Sequence, residues 1–287
     1  MSPQVHAFHH ADTGTWSYVV ADPATAQAAI IDPVLDFDAK SGRTGTVSAQ
    51  RLLDTVREHK LQVRWLLETH AHADHLSAAH WLGARLPDAL VAIGQGIREV
   101  QRTFVPVFGI DLHEPIDGSQ FDLLFADDDV FKIGSIETQV IPVPGHTRDS
   151  VAYLVGDALF TGDSLFMPDS GSARCDFPGG DAAMLYRSIQ RLFELPDATR
   201  VFICHDYGPG GREPRCETTI GEQKRDNIHV RAGISEADFV AMREARDATL
   251  AVPALILPAL QVNLRAGALP KPAGNGVRYL RIPLDQL

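Results

Sequence analysis

Four apolar runs of strand length, well separated in the chain, each lead to an imidazole or a carboxylate. Residues 61–67 run into Glu68, Thr69 and His70. Residues 136–143 precede Pro144, Gly145 and His146, residues 158–161 precede Gly162 and Asp163, and residues 201–204 stop at His205. Short apolar runs of this kind read as strands buried on both faces, so their polar endings are brought together where a sheet has an edge. One metal site at a shared sheet edge accounts for all four endings at once. With 287 residues, 45% of them hydrophobic and 22% charged, the chain can bury sheets of that kind.

His70, His72, Asp74 and His75 are the densest part of the pattern. In an extended segment residues i and i+2 face the same way, so the first two rings converge, and Ala71 and Ala73 add no bulk between them. Asp74 and His75 reach an adjacent position. Around His146, Pro142 and Pro144 fix φ while Gly145 allows a sharp reversal, which holds the ring out from the sheet. Gly162 lets the backbone beside Asp163 come close to a site. Nitrogen and carboxylate donors without a thiolate suit Zn, Fe or Mn.

The charge balance narrows the partners. With 26 Lys+Arg against 37 Asp+Glu the formal net charge is −11, and binding to nucleic acid or to an anionic membrane surface needs a dense basic face. Cys175, Cys204 and Cys216 are too few and too widely spaced for a disulfide framework or a thiolate zinc module. A reducing compartment fits. The first residues carry neither a basic n-region nor an apolar h-region, and no apolar run reaches the ~20 residues of a membrane span, so the expected location is cytoplasmic.

Local patterns give the order of elements. Residues 17–21 and 27–31 read as two strands around Asp22 and Pro23, residues 36–46 as a polar loop, and Ser48 as the cap of a helix with Leu52, Leu53 and Val56 on one face. Residues 76–86 read as a helix that stops at Pro87. A β-rich centre covers 130–133, 136–143, 151–155 and 158–161, after which Asp181 caps a helix over 182–195. This order predicts two sheets sandwiched between helices.

Taken together, His70-x-His72-x-Asp74-His75, Pro144-Gly145-His146-Thr147, Thr161-Gly162-Asp163 and His205-Asp206-Tyr207 resemble the motifs of the metallo-β-lactamase superfamily. The resemblance implies an α/β (α+β) fold, the αββα sandwich, with the metal site at one sheet edge. It implies a single domain over 1–287, in which 208–287 are a C-terminal extension contributing to the substrate pocket. Within the superfamily, residues 31–35, Glu68-Thr69-His70, 173–177, 219–225 and 263–267 are similar to segments of the persulfide dioxygenases, also called sulfur dioxygenases.

That narrower resemblance implies Fe(II), one per chain, on His70, His146 and Asp163. His72, Asp74, His75 and His205 would then be supporting groups or a second metal position. The implied reaction oxidises glutathione persulfide with O2 to sulfite and glutathione, and a homodimer is the implied assembly. Asp206, Tyr207 and His72 are candidates for orienting water or substrate. Glutathione carries two carboxylates, which guanidinium or ammonium groups pair with, so Arg174, Arg215, Lys224 and Arg265 are candidate contacts, with Tyr207 as a hydrogen-bonding wall. Cys175 has no paired base and reads as packing. One iron and two zincs both satisfy the donors, so the alternative is a di-zinc hydrolase of glutathione thioesters resembling glyoxalase II.

Overall fold

A computed structural model describes residues 2–110 and 115–286; the expected single domain over 1–287 also takes in residues 1, 111–114 and 287, which lie outside the described residues. The chain opens with β1 (Gln4–His10), β2 (Thr15–Ala21), β3 (Gln27–Ile31), β4 (Val34–Asp38) and β5 (Arg43–Gly45), then α1 (Val47–Glu58). It continues through β6 (Gln62–Leu67), β7 (Leu76–Ser77), α2 (Ala79–Gly83), β8 (Leu90–Gly94), α3 (Ile97–Val107) and β9 (Leu123–Phe125). The centre is β10 (Val130–Ile133), β11 (Ile136–Pro142), β12 (Val151–Val155) and β13 (Ala158–Phe160). After it come α4 (Ala182–Leu192), β14 (Arg200–Phe202), β15 (Glu217–Thr219), α5 (Ile220–Asp226), α6 (Glu236–Asp247) and α7 (Ile256–Asn263).

These strands form two large sheets, in the orders β1-β2-β3-β6-β8-β9 and β10-β11-β12-β13-β14-β15, and a small sheet β5-β4-β7. Side chains alternate across a strand, and here both faces are buried. Tyr18 and Val20 of β2 join Leu67, Val140, Tyr153 and Phe160 between the sheets. Their neighbours Val19 and Ala21 turn outward, where sheet one packs on Leu52 of α1, Val100 of α3 and Leu260 of α7. Sheet two is covered likewise by Leu185 and Ile189 of α4 and Phe239 of α6. The result is the αββα sandwich. Removing each large apolar side chain from water stabilises it by roughly 1.5–3 kcal/mol, and the strands consequently read as apolar runs without a polar face.

Several local expectations are corrected by tertiary partners. Residues 36–46 pair as β4 and β5 instead of forming an unstructured loop. Thr46, not Ser48, precedes α1, because the Ser48 backbone N–H and hydroxyl both donate to Asp36. The helix expected over 76–86 is reduced to α2, since Leu76 and Ser77 pair with Leu35 and Val34 of β4. Asp181 does cap α4, accepting from the Met184 backbone N–H at 2.7 Å.

The turn carrying His146 depends on Gly145. Its φ is +141°, and a Cβ there would lie 2.3 Å from the Leu185 backbone nitrogen of α4. Gly145→Ala is therefore expected to lower the unfolding free energy by about 2–3 kcal/mol in a urea titration; a loss under about 0.5 kcal/mol would show that the turn and α4 are not in obligatory contact.

Candidate metal centre and its cavity

The polar endings converge. β13 and β14 run parallel, so Asp163 and His205 leave the second sheet at the same end, and the β11–β12 turn brings His146 beside them. The segment after β6 supplies His70, His72, Asp74 and His75 from the first sheet. Gly162, at φ +50°, permits this closeness: a Cβ there would sit 2.6 Å from the Thr69 hydroxyl.

Four overlapping sets of donors come together, two of them including the buried Cys204, and the other two hold the motif residues. The ligand atoms of His70, His146 and Asp163 lie within 4.8 Å of one another, and so do those of His72, Asp74, His75 and His205. In the first group Asp163 Oδ2 is 3.9 Å from His70 Nε2 and 3.6 Å from His146 Nε2. In the second, His205 Nε2 is 2.9 Å from Asp74 Oδ2 and also 3.3 Å from Asp163 Oδ1, which links the groups. His72 turns its Nε2 toward Asp32 Oδ1 at 3.0 Å and Glu68 Oε2 at 3.8 Å.

A cation fits these residues. His70 Nε2 and His75 Nε2 are buried with no hydrogen-bond partner among the described residues, and Asp74, Asp163 and His205 turn buried donor atoms on one another at 2.9 and 3.3 Å. Buried polar atoms are normally paired because leaving them unpaired is costly, and atoms that instead converge within a few ångströms are arranged as ligands. The imidazoles of His70 and His72 are held well below their ordinary pKa, first by burial and then by neighbouring histidines, so they present neutral lone pairs. Burial pushes Asp163 up, opposed by His205 and His146. Burial acts against the ionised Asp74 too, but His205 and His75 outweigh it and hold that carboxyl well below its usual range. Desolvation likewise opposes the charged His205, yet Asp163 and Asp74 raise it to about 9.

Supporting side chains set the orientations. His146 Nδ1 donates to the Arg174 carbonyl at 2.7 Å, which leaves Nε2 for a metal. Asp32, buried and at φ +47°, accepts from the Thr69 backbone N–H and hydroxyl at 2.7 and 2.9 Å. Asp149 accepts from the Ala71 N–H at 2.7 Å, and Asn263 Nδ2 donates to the carbonyls of His72 and His75 at 2.7 and 2.8 Å. Asp149 stands three residues after His146 and Asn263 opens the segment 263–267, but spacing alone gives neither of them this supporting role.

A cavity of about 610 Å³ opens onto Asp74, His146 and Asp163, within the range of small-molecule sites. Tyr207 lines it, with its ring parallel to that of His205 at 6.0 Å. Arg174 lines it too, but its guanidinium is held by Asp176 at 2.6 Å and by the Ala251 carbonyl at 2.7 Å. Arg215, Lys224 and Arg265 do not line it. Arg215 lies 3.7 Å from Asp169, Lys224 pairs with Asp197 at 2.6 Å, and Arg265 donates to the Gln261 carbonyl. Cys175 is buried, and burial followed by the charge of Asp247 pushes its thiol up to about 12, as suits packing.

Asp206 corrects the expectation that it orients water or substrate. It is fully buried and does not line the cavity. Both of its oxygens accept from Arg212, and the backbone N–H groups of Gly208 and Arg215 donate to it as well. Arg212 also donates twice to Asp169 at 2.6 Å, tying the 206–215 loop to the cavity wall. Sequence spacing gave no sign of Arg212.

With fold and donors in place, the class is that of a metal-dependent sandwich, and residues 11–205 match the metallo-beta-lactamase superfamily, to which the chain belongs. It is 54% identical over 287 residues to a beta-lactamase hydrolase-like protein of Agrobacterium fabrum, covering 99% of this chain and 65% of that protein; the chain thus spans about two thirds of that relative's length. It is 45% identical to a protein of Dictyostelium discoideum named glyoxylase B2, covering 99% of this chain and 98% of that one. A mitochondrial persulfide dioxygenase, ETHE1 of Bos taurus, is 27% identical over 90% of this chain and 87% of its own. The crystal structure of ETHE1 from Myxococcus xanthus superposes with a TM-score of 0.73 at 33% identity, over 92% of this chain and 100% of that one.

Arg212→Ala should leave the buried Asp206 carboxylate without the guanidinium that neutralises it and lower the unfolding free energy by about 3 kcal/mol, the Gly208 and Arg215 N–H groups still donating to it. Adding Asp206→Asn should recover much of that loss, and simple additivity in the double-mutant cycle would show the pair to be uncoupled.

Proposed function

We propose that the chain is a glutathione persulfide dioxygenase: GSSH + O2 + H2O → GSH + H2SO3, the sulfite leaving in its ionised form. The observation that carries this reading is the cluster of His70, His146 and Asp163, two imidazoles and one carboxylate beside the cavity. That donor set is the one non-haem Fe(II) oxygenases use, because it leaves coordination positions open. The similarity to ETHE1, over nearly the whole chain, supports the same reading.

His70, His146 and Asp163 would hold Fe(II), which when bound would supply the one-electron chemistry by which dioxygen reacts with a sulfur nucleophile. The chain's own groups do the rest. His146 is fixed in one tautomer by the Arg174 carbonyl, and the Ala71 and His72 backbone groups are pinned by Asp149 and Asn263. Phe166 and Phe177 line the cavity and limit water around the reacting sulfur, while Tyr207, against His205, borders the same space.

The second cluster, His72, Asp74, His75 and His205, favours the rival reading, a hydrolase of glutathione thioesters in which these residues would hold a second zinc and the ions would supply an activated water. The relative named glyoxylase B2 points the same way. Metal analysis of anaerobically purified protein, paired with oxygen uptake on adding glutathione persulfide, separates the two. About one iron per chain with persulfide-dependent uptake is expected, and His146→Ala should lose metal and activity together while keeping its circular dichroism. Two zincs per chain, no oxygen uptake and thioester cleavage would overturn the dioxygenase in favour of the hydrolase.

A further inference from the structure

Two arginines of helix α6 line the cavity, Arg243 and Arg246, three residues apart and so neighbours on one helix face. Their circumstances differ. Arg243 is fully buried, donates to Asp247 Oδ1 at 2.6 and 2.9 Å and to the Ser172 carbonyl at 3.1 Å. Its charge is neutralised within the protein. Arg246 is exposed, and among the described residues its guanidinium has no hydrogen-bond or ion-pair partner.

The other cations near this space are engaged. Arg174 is held by Asp176, Arg212 by Asp169 and Asp206, and Arg215 lies beside Asp169. His229, behind Ser172 and Gly171, accepts from the Ser172 N–H at 3.0 Å and is lowered to about 4 by burial and then by Arg243 and Arg246, so it adds no charge. Away from the residues that would hold the metal, an anionic group of the substrate approaches a protein of net charge −11 and gains from a cation that meets it. Among the arginines that line the cavity Arg246 is the unneutralised one, and Ile228, Leu250 and Pro253 line the same space; its planar fork suits a carboxylate.

We propose that Arg246 is the specificity-determining anchor for a carboxylate of the substrate, so that the site selects persulfides whose carrier thiol bears an anionic group. The proposal rests on the dioxygenase reading for its reaction and on the cavity for its binding. Arg174 loses this role because its guanidinium is occupied.

The test uses the full chain loaded with Fe(II), as wild type and as Arg246→Ala, Arg246→Lys and Arg246→Glu. S-methylglutathione binding is measured by calorimetry, and oxygen uptake with glutathione persulfide against the persulfide of 2-mercaptoethanol, which is uncharged in its carrier. In Arg246→Ala the Kd for S-methylglutathione should rise about tenfold, the size expected of one charge-assisted pair. The preference in kcat/KM for glutathione persulfide should fall by a similar factor, with the change in KM. Arg246→Lys should recover part of the loss and Arg246→Glu deepen it. Unchanged S-methylglutathione affinity in both the Ala and Glu variants overturns the anchor, as does failure of the wild type to bind that ligand. Absence of oxygen uptake with any persulfide would instead overturn the dioxygenase reading, and the calorimetric series would still decide the anchor.

Discussion

The segment from Glu68 to His75 carries four of the site's donors and has no regular secondary structure, so beyond two backbone bonds to Ala92 and Val151 its backbone is satisfied by side chains from elsewhere. Buried N–H and C=O groups without partners cost more than a fold of marginal stability can spare. Asp32 takes the Thr69 N–H, Asp149 takes the Ala71 N–H, Asn263 reaches the His72 and His75 carbonyls, and the Tyr153 hydroxyl donates to the Glu68 carbonyl. These four supports come from β3's end, the β11–β12 turn, the last residue of α7 and β12. The metal centre is therefore rigid only because both sheets and the final helix have closed around it.

The same closure explains how charge is distributed. Carboxylates and imidazoles too buried to be solvated are left facing each other, which lowers the basicity of His70 and His72 and raises that of His205. Arginines elsewhere are drawn into pairs, Arg212 with Asp206 and Asp169, Arg243 with Asp247, and these pairs hold the loops that wall the cavity. The presence of both a three-residue and a four-residue cluster of donors, linked through Asp163 and His205, is what allows two chemistries to be set against each other on one scaffold. Superfamily membership defines the scaffold and leaves that choice to the metal and the substrate.

Much of the site was legible from local pattern. His70, His146, Asp163 and His205 each follow an apolar run, and strand-end placement follows from burial on both faces. Less legible were elements whose formation depends on distant partners. β1 alternates too weakly to stand out, yet pairs along its whole length with β2, and the helix expected after His75 was shortened by pairing with β4. Asp206 sits in a motif beside His205, but its side chain is taken up by Arg212. Lys224 and Arg265 resemble family positions and still lie away from the cavity, while Arg246, in no motif, lines it.

By itself the sequence determined the kinds of donor, their strand-end placement and the layered αββα order, because these depend on alternation, turn chemistry and burial within short stretches. Only the tertiary structure decided which donors share a cluster, which arginines are neutralised and which one remains to meet a substrate. Those depend on distances between segments far apart in the chain, set by how the two sheets and the C-terminal helices pack, and charge–charge energies change steeply with such distances and with burial.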